Sequence, residues 1–194
     1  NFGYPIFEGS GISVYDGAYE WSITGNIVYE NDYQGIRVGA ARKGTIAGNT
    51  IFKNGLVDDA IHTTKVSGGI FVFRGDDITI SGNHIDNTQN AYDGILIYGD
   101  SHRITITGNT IVHNTGKGIR LYWFNSSWYP HDIVISSNEL YANYVGIRLN
   151  RARNVTISSN LIHGCTGTAL EFVYSQNIKF NDNYLYDNIF QSIV

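Results

Sequence analysis

Arginine recurs at one position of a repeated block in this 194-residue chain. Arg37 lies in Gly35-Ile-Arg-Val38, Arg120 in Gly118-Ile-Arg-Leu121 and Arg148 in Gly146-Ile-Arg-Leu149. Glu171 takes the same place in Ala169-Leu-Glu-Phe172. A guanidinium offers a planar fork of donors that meets a carboxylate or sulfate in bidentate fashion. If the blocks stack, Arg120, Arg148 and Glu171 become neighbours and form a candidate site for a uronate or a sulfated sugar. Tyr98, Asp100, Tyr122, Trp123 and Arg151 follow just beyond these blocks, and Trp128 lies a few residues further on. Aromatic faces beside polar groups suit sugar rings, whose C–H faces stack while their hydroxyls hydrogen-bond. A solvated Arg-Arg-Glu ladder and an aromatic cover over a sheet edge would use the same residues without any ligand.

The elements that position these residues are legible as two interleaved repeats. One block reads apolar-x-apolar-x-x-Asn, as in Ile78-Thr-Ile-Ser-Gly-Asn83, Ile104-Thr-Ile-Thr-Gly-Asn109 and Val155-Thr-Ile-Ser-Ser-Asn160. Its seven asparagines, Asn26, Asn49, Asn83, Asn109, Asn138, Asn160 and Asn183, are spaced by 23, 34, 26, 29, 22 and 23 residues. Between them lie the small-apolar-x-apolar blocks that carry the arginines. Both blocks alternate with period 2, the pattern of a strand with one buried face. The residue two after each Asn (Val28, Ile51, Ile85, Ile111, Leu140, Ile162 and Leu185) adds a third inward position. Three short strands per repeat cannot bury a face alone, but stacked copies enclose a continuous core. The expected fold is all-β, a right-handed single-stranded parallel β-helix of about seven coils in one domain spanning residues 1–194. Asn at each corner can bond the equivalent Asn one coil away and tolerates positive φ. The longer repeats place insertions at Gly55–Ser67 and Tyr122–His131, where function on a filled solenoid would gather.

The pattern from Gly11 to Val194 resembles the right-handed parallel β-helix repeat family, the pectate-lyase-like proteins and related carbohydrate-binding and sugar-hydrolase modules. That family includes lyases, hydrolases, uronan epimerases, phage tailspikes and noncatalytic surface proteins, so the resemblance specifies fold far better than reaction. Within it, Trp128-Tyr129-Pro130-His131-Asp132 partly resembles the catalytic segment of mannuronan epimerases, an Asp-Pro-His followed by an acid. Pro130, His131 and Asp132 match, and Tyr129 stands where that family has Asp. The resemblance implies Tyr129 and His131 as an acid/base pair at C5 of a uronate, with Arg120 or Arg148 neutralising its carboxylate. Asp58-Asp59 resembles the paired aspartates of polygalacturonases, but Tyr92-Asp93-Gly94 follows that pair where a partner would precede it. The implied functions are binding or processing of a polysaccharide by a lyase, C5-epimerase or glycoside hydrolase. The alternative is a noncatalytic module of a surface layer, filament or tailspike-like assembly.

Composition narrows the partners. Hydrophobic residues make up 42% and charged residues 15%, which is globular and not disordered. A net charge of −4 without a basic run argues against nucleic acid. The longest apolar runs are too short to span a membrane. Few lysines, no Met and 14 Tyr suggest an extracellular or cell-surface protein. Asn125 and Asn154 begin glycosylation sequons. Cys165, the single cysteine, excludes an intrachain disulfide and reads as buried filler. No metal centre is expected: calcium at Asp58/Asp59 or Asp76/Asp77 lacks the ligand count. Gln191-Ser-Ile-Val194 reads as the start of another strand, and neither end carries a cap. Both features suggest a segment of a longer protein, or self-association through open ends or the outward aromatics Tyr29, Phe52, Tyr141 and Tyr186.

Overall fold

The computed structural model describes residues 9–56, 68–90, 92–125 and 127–190. The chain winds through three parallel sheets of seven strands each, every sheet taking every third strand. The first sheet carries the arginine blocks, including Asp93–Tyr98, Lys117–Tyr122, Val145–Asn150 and Leu170–Val173. The second carries the Asn-terminated blocks, including His102–Thr107, His131–Ser136 and Arg153–Ser158. Three-residue strands such as Thr110–Val112 form the third. Every strand pair is parallel, so the expected coil repeat is the fold.

Alternation explains the register. Ile104, Ile133 and Val155 pair in line on the second sheet, as do Ile95, Ile119 and Ile147 on the first. Val28, Ile51, Ile85, Ile111, Leu140, Ile162 and Leu185 form one column on the third. These columns meet inside as one Ile/Val/Leu core. The small residue that opens each block of the first sheet has a steric cause. A Cβ on Gly94 would sit 2.6 Å from Ile111 Cγ2 and 2.7 Å from the Gly118 carbonyl oxygen. Only glycine lets successive coils approach so closely there.

The asparagine ladder runs as expected. Asn49, Asn83, Asn109 and Asn138 each donate from Nδ2 to the Oδ1 of the next coil's Asn at 2.9 Å. Their backbone N–H groups use the same acceptors at 3.0 Å. The positive φ, however, is one residue earlier than the Asn. It falls on Gly25, Gly48, Gly82, Gly108, Ser137, Ser159 and Asp182, between 54° and 69°. Gly supplies the left-handed bend and Asn supplies the amide, which is why the pair reads Gly-Asn in four coils.

A second ladder, unrecognised in the sequence, closes the corner after the third sheet. Asn31 bonds Asn54 at 2.8 Å, and Asn114 bonds Asn143 at 2.9 Å. Thr88 and Cys165 occupy the same column, donating their backbone N–H to Asn114 and Asn188 at 3.0 Å. Cys165 is buried as expected, and burial pushes its thiol up to about 11. Its column makes it a substitute rung more than filler. Cys165→Asn restores a strong acceptor for the Asn143 backbone N–H and a donor toward Asn188. The variant is expected to gain about 1 kcal/mol. A lower urea midpoint than the parent would show that the column has no room for the amide.

Candidate functional site

The outer face of the first sheet aligns Arg37, Phe71, Leu96, Arg120, Arg148 and Glu171 on successive rungs. Alternation puts all of these side chains outside the solenoid, but the middle of the row is covered. Leu96 is 0% exposed and Phe71 4%, and they pack with Tyr98, Phe73 and Tyr122 into a second apolar cluster outside the solenoid. Arg37 is buried too, with its guanidinium 4.9 Å from the Tyr15 ring centre. Three rungs at about 4.8 Å separate it from Arg120, so Arg37 belongs to a different site. The open charged surface is the C-terminal half of the row.

That half is built on a buried acid. Asp93 is 1% exposed and accepts the Lys117 backbone N–H at 2.8 Å. Arg120 Nη1 lies 3.4 Å from its other oxygen. The Arg120 guanidinium stacks 3.9 Å above the Tyr122 ring centre, and its Nε has no hydrogen-bond partner among the described residues. Arg148 Nε lies 3.2 Å from Glu171 Oε2. Lys117 is half-buried one coil beyond Asp93, and desolvation pushes its ammonium below the ordinary value despite the neighbouring carboxylate. Lys117 is not singled out by the sequence, and Asp93 is weighed there only as a partner of Asp58-Asp59, not as the acid beneath Arg120. Their signal was a charged residue just before the Gly of two successive blocks, Asp93-Gly94 and Lys117-Gly118.

Burial raises the Asp93 carboxyl above its ordinary value, and the cations Arg120 and Lys117 only partly offset this. Between the unfolded pKa of about 4 and the raised native one, the folded chain holds a proton that the unfolded chain has released. The Asp93 contribution to stability is therefore greatest below about pH 4 and declines as pH rises through the native pKa. The urea midpoint of Asp93→Asn, measured relative to the parent, is expected to rise from pH 4 to pH 8. The opposite trend would mean that the ion pairs outweigh desolvation.

The insertion after Lys117–Tyr122 folds across the sheet edge. Phe124 meets Phe73 and Tyr98 at 5.9 and 5.6 Å, and Trp128 stacks on Phe124 at 5.5 Å under the Arg74 guanidinium. Tyr98 lies parallel to Tyr122 at 5.9 Å and is 7% exposed, and burial pushes its phenol up to about 12. Among the residues expected to touch a sugar, Tyr98 and Trp128 thus support the loop from within it. Trp123 lies 4.0 Å beneath the Arg151 guanidinium, and Tyr122 sits under Arg120, beside the charged row.

Tyr129, His131 and Asp100 occupy the corner between the first and second sheets. Arg153 lies 4.1 Å over the Tyr129 ring and its Nη1 is 2.7 Å from the phenol oxygen. His131 Nδ1 is 2.8 Å from Asp132 Oδ2, and its Nε2 is 3.6 Å from Asp100 Oδ1. No hydrogen bond, ion pair or ring contact among the described residues joins Tyr129 or His131 to Arg120 or Arg148. Tyr129 and His131 meet edge to face at 6.2 Å, and Arg120 and Arg148 lie on adjacent rungs of the first sheet. Asp76 and Asp77 both engage Arg103, which leaves them a poor calcium pair. Asp58, Asp59, His62 and Lys65 lie outside the described residues, as do the terminal residues 1–8 and 191–194.

Of the sequon asparagines, Asn154 is exposed and bonds Asp132 at 2.9 Å, while Asn125 is half-buried and caps its own turn by accepting from Trp128 N at 3.1 Å. On the third sheet, Tyr141, His163 and Tyr186 stack at 4.6 and 4.7 Å, and Tyr29 stacks on Phe52 at 5.0 Å. No helix among the described residues is long and apolar enough to cross a membrane.

Solved structures share this architecture. A double mutant of the periplasmic alginate epimerase AlgG is 22% identical with a TM-score of 0.72, covering 86% of this chain and 36% of that one. The Dettilon tailspike protein is 18% identical with a TM-score of 0.74, over 92% of this chain and 37% of that one. The A-module of the Azotobacter vinelandii mannuronan C-5 epimerase AlgE4 is 14% identical with a TM-score of 0.54, over 92% and 59%. At these identities the likeness shows the fold, and this chain spans little more than a third of the first two. The family described as right handed beta helix region matches residues 6–129 and 127–194. With nearly the whole chain matched and three parallel seven-stranded sheets as its structure, this protein belongs to the right-handed β-helix family.

Proposed function

We propose that the C-terminal half of the first sheet's outer face binds an acidic polysaccharide outside the cytoplasm, at a cell surface or in the extracellular space. The observation that carries the reading is the group Lys117, Arg120 and Arg148, half-buried on two adjacent rungs with Tyr122 and Trp123 beside it. A polymer laid across these coils meets cations on two adjacent rungs, about 4.8 Å apart. Partial burial strengthens each contact to a carboxylate relative to one in open water. The row is built as a receptor: Asp93 orients Arg120 from below, and the Glu171 carboxylate holds Arg148 until a ligand carboxylate replaces it.

The alginate epimerases and the tailspike that share the fold support a glycan as the ligand class. Epimerisation through Tyr129 and His131 rests on the resemblance of Pro130-His131-Asp132, and turnover assays address it. Titrating the chain with polymannuronate, polygalacturonate and a neutral glucan tests the proposal by calorimetry. Absorbance of unsaturated uronides and C5 proton exchange, followed on the same samples, report lyase and epimerase turnover. Binding of the acidic polymers with the neutral one excluded supports the reading. Equal affinity for the neutral glucan, or no binding of either acidic polymer, overturns it.

A further inference from the structure

The corner occupied by His131 also holds His102 and Asp100. His102 and His131 open paired strands of the second sheet, and their rings stack at 4.8 Å with 7° between planes. Asp100 lies in the turn before His102. One ligand atom from each of Asp100, His102 and His131 falls within 4.8 Å of the other two, and all three residues are half-buried. We infer that Asp100, His102 and His131 form a binding site for a divalent transition-metal cation of the zinc class.

Three features favour a cation over a chance cluster. First, a carboxylate lies beside one nitrogen of each imidazole. His131 Nδ1 lies 2.8 Å from Asp132 Oδ2, and His102 Nε2 lies 3.3 Å from Asp76 Oδ1. A carboxylate on the far nitrogen fixes the tautomer and directs the other lone pair to the metal. Second, the remaining nitrogens are the ones left for coordination. His102 Nδ1 is buried with no hydrogen-bond partner among the described residues, and His131 Nε2 is 3.6 Å from Asp100 Oδ1. A ring nitrogen facing a carboxylate at that distance calls for a proton or a metal cation between them. Third, the spacing is close to that required. Ligands about 2.0–2.1 Å from a tetrahedral zinc ion lie about 3.3 Å apart. The Asp100–His131 separation of 3.6 Å nearly satisfies this, and the His102 ligand atom lies within 4.8 Å of both. Two imidazoles and one carboxylate suit zinc better than calcium or magnesium, and they leave a fourth position for water.

The site is independent of the glycan reading, because no hydrogen bond, ion pair or ring contact among the described residues joins Asp100, His102 or His131 to Lys117, Arg120 or Arg148. The test is calorimetric titration of the tag-free 194-residue chain with zinc chloride. One zinc per chain with a Kd of about 10 µM or tighter is expected. His102→Gln and His131→Gln should each weaken binding at least about 30-fold, and Asp132→Asn about 10-fold. His163→Gln, on the third sheet, should leave it unchanged. Thermal melts of the metal-free variants check folding. If a variant fails to fold, the unmodified chain still decides: Co2+ should give the intense visible bands of a low-coordinate site, removed by one equivalent of zinc. Absence of zinc binding below about 1 mM, affinity indifferent to both histidines, or only the weak spectrum of octahedral Co2+ would overturn the inference.

Discussion

Asn109→Ala is expected to cost about 3–5 kcal/mol of stability, a large share of what a domain of this size possesses. Asn109 is 1% exposed at the centre of the first ladder. Its Nδ2 donates to Asn138 Oδ1 and to the Ile80 carbonyl at 2.9 Å each. Its Oδ1 accepts from both the backbone N–H and the Nδ2 of Asn83 at 3.0 and 2.9 Å. Alanine therefore strands donors and acceptors on two neighbouring coils as well as its own. Each buried group left unsatisfied costs about 1–3 kcal/mol, and a water admitted to the gap recovers part of that. The bonds also polarise one another along the ladder, so the loss exceeds that of an isolated pair. Equilibrium urea unfolding should show a lower midpoint with an unchanged slope. Thr105→Ala, on the outer face of the same coil, should stay within about 0.5 kcal/mol. A loss below about 1 kcal/mol at Asn109 would mean that side-chain amides do not hold the corners.

The second large effect is on binding. Arg120→Ala combined with Arg148→Ala should weaken an acidic polysaccharide about 100- to 1000-fold, taking about 1.5–3 kcal/mol for each charge-assisted contact and allowing for incomplete additivity. Arg148→Lys keeps the charge but loses the fork, and it should recover only part of the affinity. Glu171→Gln distinguishes a receptor from a solvated charge ladder. Arg148 lies 3.2 Å from Glu171. Removing that carboxylate frees the guanidinium and should tighten binding several-fold. A ladder that merely balances its own charge predicts no change on Glu171→Gln and a small one on losing both arginines. Raising the salt should weaken binding in the parent and much less in the double variant.

The fold was legible because its determinants are local and repeated. Alternation in Ile104-Thr-Ile-Thr settles which side chains point inward, and the recurrence of Gly-Asn settles where the chain turns. Any seven coils that obey both must stack in the one register that keeps every Ile inside, since a shift by one residue would expose the whole column. Even the pairing of Arg120 with Arg148 and of His102 with His131 followed from that register. The second asparagine ladder was missed because Thr88 and Cys165 interrupt it, and the left-handed residue was misplaced because Gly and Asn share one corner.

What only the tertiary structure decided lies outside the solenoid. Outward positions have no periodic constraint, so their burial depends on what the uneven coils fold over them. The sequence by itself put Phe71, Leu96 and Arg120 on one face in one row. The loop carrying Phe124 and Trp128, seated on Phe73 and Tyr98 at the edge of the Phe71–Leu96 cluster, left only the C-terminal half of that row open. The same coil geometry buried Asp93 under Arg120 and set Asp100 beside His131. These contacts join residues 27 and 31 positions apart, through coils of different length. No local pattern encodes such distances. Repetition determines the core of this protein, and the departures from repetition determine its candidate sites.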